Sequence, residues 1–290
     1  MSCQRFIFVG NRRFVLEEMV QAELDLTAIA VVEGSHLHRD VMSGNFVGTA
    51  STHVIGSKGE LLDLIRRENF DVLVSNGCPY ILPIAQLPEA IYANIHPSCL
   101  PDLRGIDPVI GAVLFQRDSG ATCHLMDTGV DTGPIISQVR IPYSDDIDVT
   151  LLYQMSFYAE RRAFREALDL DFRAGIPQVP QASDIYYSRK PDDRVIDFSR
   201  SIRRILQQIK AFSNRSQGCE FLVDEQRYRV YGARVLTNSF LVEMLKDLDD
   251  GLVGISIENA IVFKKDGVVI QFRDVADAQG LAPKVGSRLF

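Results

Sequence analysis

No stretch of the 290-residue sequence approaches the roughly 18 consecutive apolar residues of a membrane-crossing helix, so no membrane span is expected. No secretory leader is expected either: Met1-Ser2-Cys3-Gln4-Arg5 is polar, and the apolar run behind it is too short. The five cysteines (Cys3, Cys78, Cys99, Cys123 and Cys219) are odd in number and contain no C-x-x-C pair. That speaks against a disulfide framework and points to a reducing, cytoplasmic setting. Cys99, Cys123, His96 and His124 match no standard zinc spacing, so no metal is expected. The first strand candidate is not followed by G-x-G-x-x-G, so dinucleotide binding is not indicated. Positive charge is scarce, with 31 Lys and Arg against 38 Asp and Glu and a net charge of −7. This disfavours a general nucleic-acid surface and leaves room only for a local basic patch. No internal repeat or low-complexity tract occurs.

The elements that are present alternate between strand and helix. Arg5–Gly10 and Leu26–Val32 read as buried strands around a helix over Arg12–Leu24, the opening of a doubly wound, mostly parallel sheet. Gly34–His53 is polar, carries His36, His38 and His53, and reads as a loop. Ser57, with Glu60 three residues on, caps a helix to Glu68. Further strands are expected over Phe70–Ser75, Ala90–His96, Ala121–Met126 and Ile135–Ile141, and helices over Pro108–Phe115 and Val149–Leu170. Gly175, Pro177, Pro180 and Pro191 mark a linker. The division expected is therefore a catalytic domain over 1–172, a linker over 173–191 and a smaller β-rich, partly barrel-like domain over 192–290. In the latter, Ser199–Arg215 is an amphipathic helix whose Arg200, Arg203, Arg204, Lys210 and Arg215 form either a solvated face or an attraction for a phosphate-bearing substrate. Strands follow over Glu220–Val223, Tyr228–Leu236, Val253–Ile257, Ala260–Phe263 and Val268–Phe272, with Asp266-Gly267 as a hairpin signal.

Two short pieces carry the chemistry. In Asn94-Ile95-His96-Pro97-Ser98, alternation puts an amide and an imidazole on one side of a strand, and Pro97 stops the strand there. The carboxyl edge of such a sheet is where ligands bind. In Met126-Asp127-Thr128-Gly129-Val130-Asp131-Thr132-Gly133-Pro134, glycines allow close backbone approach and a carboxylate can orient a histidine or a water. The calcium-loop reading of this piece fails because the closing bidentate Glu is missing.

These pieces, with Cys99-Leu100-Pro101 and Arg104-Gly105 between them, resemble the folate-dependent formyltransferases. That group includes the methionyl-tRNA, glycinamide ribonucleotide and sugar-nucleotide enzymes. The resemblance implies Asn94, His96 and Asp131 as the catalytic trio and 10-formyltetrahydrofolate as formyl donor. It places Gly77, Cys78, Tyr80, Ile81 and Leu82, with Met126, Asp127, Gly129 and Val130, around the folate, and Ser98, Arg104 and Gly105 on the acceptor side. The segment from Tyr187 to Phe198 resembles the start of the C-terminal domain of the tRNA and sugar-nucleotide types, which the short glycinamide enzymes lack. Methionyl-tRNA enzymes carry a basic insertion where this chain has only Arg39 between Gly34 and Ser57.

The activity expected is formyl transfer to a small primary amine, chiefly a nucleotide-linked amino sugar. tRNA is disfavoured but stays open, as does an amino-acid or siderophore-precursor amine. From other classes, a formyl-folate hydrolase or a non-catalytic folate-binding module remains. A homodimer is left open. In the expected mechanism Asn94 stabilises an oxyanion, His96 moves a proton and Asp131 orients the histidine. No Ser or Cys nucleophile constellation is present.

Overall fold

The computed structural model describes residues 4–44, 50–173 and 175–290. Cys3 and part of the Gly34–His53 stretch lie outside the described residues. The chain divides into two compact units. One comprises Met1–Val109, Asp118–Tyr143 and Tyr153–Tyr187; the other comprises Ile110–Arg117, Ser144–Leu152 and Ser188–Phe290.

The first unit is built on a seven-stranded sheet. Its strands are β1 (Arg5–Gly10), β2 (Asp25–Val32), β3 (Ser51–Ile55), β4 (Val72–Asn76), β5 (Ile91–His96), β6 (Ser119–Leu125) and β7 (Ile135–Ile141). The spatial order is β3-β2-β1-β4-β5-β6-β7. The first five are parallel, β6 runs against them, and β7, antiparallel to β6, returns to their direction. β1 and β4 are apolar almost throughout because both faces of the sheet are covered. Ile7 and Val9 pack with Leu61, Leu64 and Ile65 of helix α3 (Lys58–Arg67) on one side. On the other, the Phe6 ring meets Phe172, which meets Phe164 of helix α5 (Val149–Asp169). Helix α1 (Arg13–Gln21) is tied to α5 by the buried Glu18, which pairs with Arg161 and Arg165.

The strand order places the topological switch between the carboxyl ends of β1 and β4. There the backbones touch. A Cβ on Gly10 would lie 2.0 Å from the Asn76 carbonyl oxygen, and one on Gly77 would lie 2.1 Å from Asn11 Oδ1. Gly77 also has φ +75°, so no other residue fits without strain.

Local signals held where a cap or a long apolar face backed them. Ser57 caps α3 by accepting from the Glu60 N–H, while the Glu60 carboxylate reaches the Gly56 N–H. The polar stretch read as a loop from Gly34 to His53 instead contains helix α2 (His36–Met42), capped by Ser35, and enters β3. That helix buries only Leu37, too weak a pattern to read. Helix α4 covers Pro108–Phe115.

The second unit holds helices α6 (Ile202–Ala211) and α7 (Ser239–Met244) and strands β8 (Cys219–Val223), β9 (Gln226–Val230), β10 (Gly232–Val235), β11 (Val253–Ile257), β12 (Ala260–Lys265) and β13 (Val268–Arg273). They form an antiparallel sheet β10-β13-β12-β11 and a hairpin β8-β9. The single strand expected over Tyr228–Leu236 is divided. β9 pairs with β8, and β10 pairs with β13. Strands that change sheet in this way make the corners of small β domains. Asp266 and Gly267 both take positive φ and turn β12 into β13. The core is aromatic: the ring centroids of Phe263 and Phe272 lie 4.9 Å apart, and those of Phe198 and Phe290 5.0 Å. Among the described residues no helix is long and apolar enough to cross a membrane.

Candidate active site

Strand β5 delivers Asn94 and His96 to the same side, as alternation requires. Beside it, antiparallel β6 sets His124 opposite Asn94 and Thr122 opposite His96. Because β6 runs backwards, its end lies next to Ala93, away from the carboxyl end of β5. The loop 126–134 must therefore return over the sheet to bring its carboxylate to the histidine. It does so through two close approaches. Gly133 packs so that a Cβ would lie 1.9 Å from the Leu125 carbonyl oxygen, and Asp131 adopts φ +54°.

The result is a four-residue cluster. His96 Nδ1 lies 3.5 Å from Asp131 Oδ2, and His124 Nε2 lies 3.7 Å from Asp131 Oδ1. Asn94 Nδ2 is 3.2 Å from His124 Nε2 and 3.4 Å from Asp131 Oδ1. Two carbonyls set the tautomers. His96 Nε2 donates to the Leu103 carbonyl at 3.0 Å, since a carbonyl can only accept. In the neutral ring this leaves a lone pair on Nδ1, facing Asp131. His124 Nδ1 donates likewise to the Leu125 carbonyl at 2.8 Å, and its Nε2 faces the Asn94 amide.

Burial pushes the pKa of His96 below its ordinary 6.5. The Asp131 charge and the Leu103 carbonyl oppose that shift, whereas His124 and Arg12 add to it. For Asp131, burial alone would raise the pKa. The His124 contact, the charge that each histidine carries when protonated and the Gly105 N–H outweigh it and hold the carboxyl below its ordinary range. At neutral pH the pair is thus an uncharged imidazole beside a carboxylate, with one unprotonated ring nitrogen between them.

Behind the cluster, the fully buried Asn76 side chain donates to the carbonyl of Ile95, between Asn94 and His96, and to Glu160 Oε2, each at 3.2 Å. Arg12 Nη1 lies 3.1 Å from Glu160 Oε1. Burial raises the Glu160 pKa, against the opposing pull of Arg12 and Asn76.

The positions assigned to the folate are partly gathered. Cys78, Tyr80, Leu82 and Met126 pack on one apolar cluster with Tyr92. Ile81 and Val130 are exposed, at 64% and 40% of their surfaces. The Asp127 carboxylate is engaged inside its own loop, accepting from the Gly129 N–H at 2.9 Å and from Thr132 Oγ1 at 2.6 Å. Burial raises the Cys78 thiol pKa, which suits a wall residue and not a nucleophile.

The three acceptor-side positions lie close to the trio but face inward. Ser98 is fully buried and donates to the Asp102 carbonyl. Arg104 Nε donates to the Asp131 carbonyl at 3.1 Å, and the Gly105 N–H points at Asp131 Oδ2 at 3.5 Å. Two residues join the site that sequence reasoning left out of it, His124 and Gln178. Alternation along β6 gives no sign that His124 faces Asn94, because that depends on the register between two strands. Among the described residues no group of three or more His, Cys, Asp or Glu side chains is arranged to hold a metal ion.

Comparison with known proteins follows the same outline. The formyl transferase family model matches residues 46–168, and the model of the formyl transferase C-terminal domain matches residues 189–280. The chain is similar to a methionyl-tRNA formyltransferase of Acidithiobacillus ferrooxidans, 29% identical over 184 residues, which covers 61% of this chain and 58% of that protein. The chain therefore matches little more than half the length of that relative. Among solved structures it resembles the N-formyltransferase of Helicobacter canadensis in complex with folinic acid and dTDP-3-aminofucose. The TM-score is 0.68 at 18% identity, covering 92% of this chain and 98% of the other. A 4-N formyltransferase from Francisella tularensis superposes with a TM-score of 0.64 at 19% identity, covering 77% and 94%.

Proposed function

Since the chain belongs to the formyl transferase family, we propose that it transfers a formyl group from 10-formyltetrahydrofolate to the primary amine of a small substrate, a nucleotide-linked amino sugar in the first instance. The observation that carries this reading is the Asn94–His96–Asp131 cluster, with a neutral imidazole nitrogen turned toward a carboxylate.

Bound 10-formyltetrahydrofolate supplies an activated formyl carbon. The apolar group of Cys78, Tyr80, Leu82 and Met126 offers its ring system a wall, and the backbone of 77–82 offers polar groups beside it. His96 Nδ1 is the base that takes the amine proton as the C–N bond forms. Asp131 stabilises the imidazolium that results, and the Leu103 carbonyl keeps the ring from turning. Asn94 Nδ2 holds two long contacts at rest and can shift its hydrogens to the oxygen on which negative charge develops, a contact of the kind worth about 3 kcal/mol. His96 then returns the proton to the leaving nitrogen. Residues 1–172 carry this chemistry in our reading, and 192–290 serve acceptor selection.

Support for an amino-sugar acceptor comes from the single cation between Gly34 and Ser57 and from the sugar N-formyltransferases among the structural neighbours. Methionyl-tRNA is the second reading, favoured by the names of the sequence relatives. Cys78, Cys99, Cys123 and Cys219 are all free thiols, which suits a reducing, cytoplasmic compartment.

The test incubates the protein with 10-formyltetrahydrofolate and follows tetrahydrofolate release with and without dTDP- and GDP-amino sugars, glycinamide ribonucleotide, hydroxyornithine and charged initiator tRNA. Release that depends on an amino sugar supports the proposal. Release with tRNA alone transfers it to the second reading. Release without any amine makes the protein a hydrolase and defeats both.

A further inference from the structure

The carboxylate of Asp131 is held where it is by its backbone, and that backbone is clamped from outside the loop. Arg104 Nε donates to the Asp131 carbonyl at 3.1 Å, and Gln178 Nε2 donates to the same oxygen at 3.0 Å. Gln178 Nε2 also donates to the Gly133 carbonyl at 2.8 Å. Arg104 Nη2 closes the ring by donating to Gln178 Oε1 at 2.8 Å. One amide and one guanidinium thus bridge the loop at the turn where Asp131 has φ +54°. A non-glycine residue in that conformation is strained and persists where its surroundings over-determine it.

Gln178 belongs to the stretch expected to be a linker, yet that stretch is fastened at both ends. Ile176 exchanges two backbone hydrogen bonds with Ile135, where the loop 126–134 re-enters β7. A Cβ on Gly175 would lie 2.0 Å from the Ile135 carbonyl oxygen, so the backbones are in contact. Farther on, the Tyr187 N–H bonds to the Arg104 carbonyl at 2.8 Å, and the Ile185 N–H bonds to Asp102 Oδ1 at 2.8 Å. The segment therefore spans from the exit of one catalytic loop to the loop that follows His96.

We propose that residues 175–187 form a strap that positions the catalytic carboxylate, and that Gln178, acting through the backbone of Asp131, is a positioning residue for the reaction. This rests on the reading of Asp131 as the carboxylate that serves His96. The charged and titratable groups around His96 are Asp131 on the loop, His124 on β6 and Arg12 after β1. Of these, Asp131 alone favours the protonated ring, so a carboxylate that drifts away lowers the pH at which His96 titrates.

The test follows the histidine ring signals of the full chain by NMR across pH, with His96 assigned by its loss in His96→Gln. Wild type, Asp131→Asn, Gln178→Ala and Gln178→Met are compared. The Met variant keeps the length of the side chain and adds no charge but loses both donors to the loop. Asp131→Asn is expected to move the His96 titration to lower pH, and both Gln178 variants to move it part of the way. Turnover of 10-formyltetrahydrofolate with the amine panel should fall about 10- to 100-fold in kcat with KM for the formyl donor little changed. A residue that merely packs would lower thermal stability and leave the titration in place. If Gln178→Ala does not fold, the Met variant decides. Wild-type titration of His96 in the folded Gln178 variants overturns the inference. Absence of turnover in the wild type overturns the functional reading alone, because the titration needs no substrate.

Discussion

At the scale of single residues, the site depends on how two carbonyls fix two histidines. The Leu103 carbonyl accepts from His96 Nε2–H and the Leu125 carbonyl from His124 Nδ1–H, so the rings present opposite nitrogens to Asp131. The buried, neutral His96 also links stability to pH. Its folded pKa lies below the 6.5 of the unfolded chain, so below pH 6.5 the unfolded state binds the proton first. The stability this residue contributes is complete above about pH 6.5 and is lost as pH falls toward the folded pKa. The thermal midpoint should accordingly fall on acidification from pH 7 toward 5, and less steeply in His96→Gln, which also loses turnover. Equal slopes in the two proteins would mean that His96 is not held neutral. Turnover in the wild type should persist below pH 6.5 for the same reason.

At the scale of elements, the site is a place where strand ends and one helix are pinned together. Glu160 of α5 reaches Asn76 at the end of β4, Asn76 reaches the Ile95 carbonyl in β5, and Arg12 after β1 pairs with Glu160. Removing a fully buried member of such a set leaves its partners unsatisfied. Glu160→Ala is predicted to cost about 3 kcal/mol in chemical denaturation, the scale of breaking a buried pair. Asp63→Ala, which removes the exposed partner of Arg66, should change stability by well under about 1 kcal/mol. Much of this scale was legible beforehand. The strands β1, β2, β4, β5 and β7 follow from apolar runs, and α3 and α4 follow from Ser57 and Pro108 at their starts. What escaped were α2, which buries a single side chain, β3 and α7, which are short and bury one residue or none, and the division of β9 from β10, where the chain changes pairing partner without a break in its β-forming residues.

At the scale of the whole molecule, the second unit is drawn from three separate segments of chain, so it is not the product of one C-terminal stretch. Ile110, Ala112 and Val113 belong to it and are buried, and Gln207 of α6 donates to the Val113 carbonyl. Three cations on and before α6 have partners: Arg200, ahead of the helix, pairs with Asp197, Arg203 reaches Gln116 and Lys210 reaches the Asp145 carbonyl. A chain ended after Tyr187 would keep Ile110–Arg117 and Ser144–Leu152 without the 188–290 segment that completes their unit. That fragment is predicted to bind an apolar dye such as ANS strongly and to melt at a lower temperature than the intact chain, as seen by fluorescence and circular dichroism. A fragment as stable as the intact chain, with no added dye binding, would mean that the inserts pack adequately without it.

The sequence by itself determined the class of fold, the strand end that bears Asn94 and His96, and the loop that bears Asp131. Each of these depends on local rules: apolar runs, alternation along a strand, a proline that ends it, and glycines that let a loop turn. Only the tertiary structure decided that β6 runs antiparallel and so sets His124 against Asn94, and that the loop 126–134 folds back across the sheet to His96. It also decided that a proline-bearing stretch read as a linker places Gln178 on the Asp131 carbonyl. The physical reason is that strand direction, register and the anchoring of a strap are set by pairings between residues far apart in the chain, here 30 residues for Asn94 and His124 and 47 for Asp131 and Gln178, and no local pattern encodes which pairing wins.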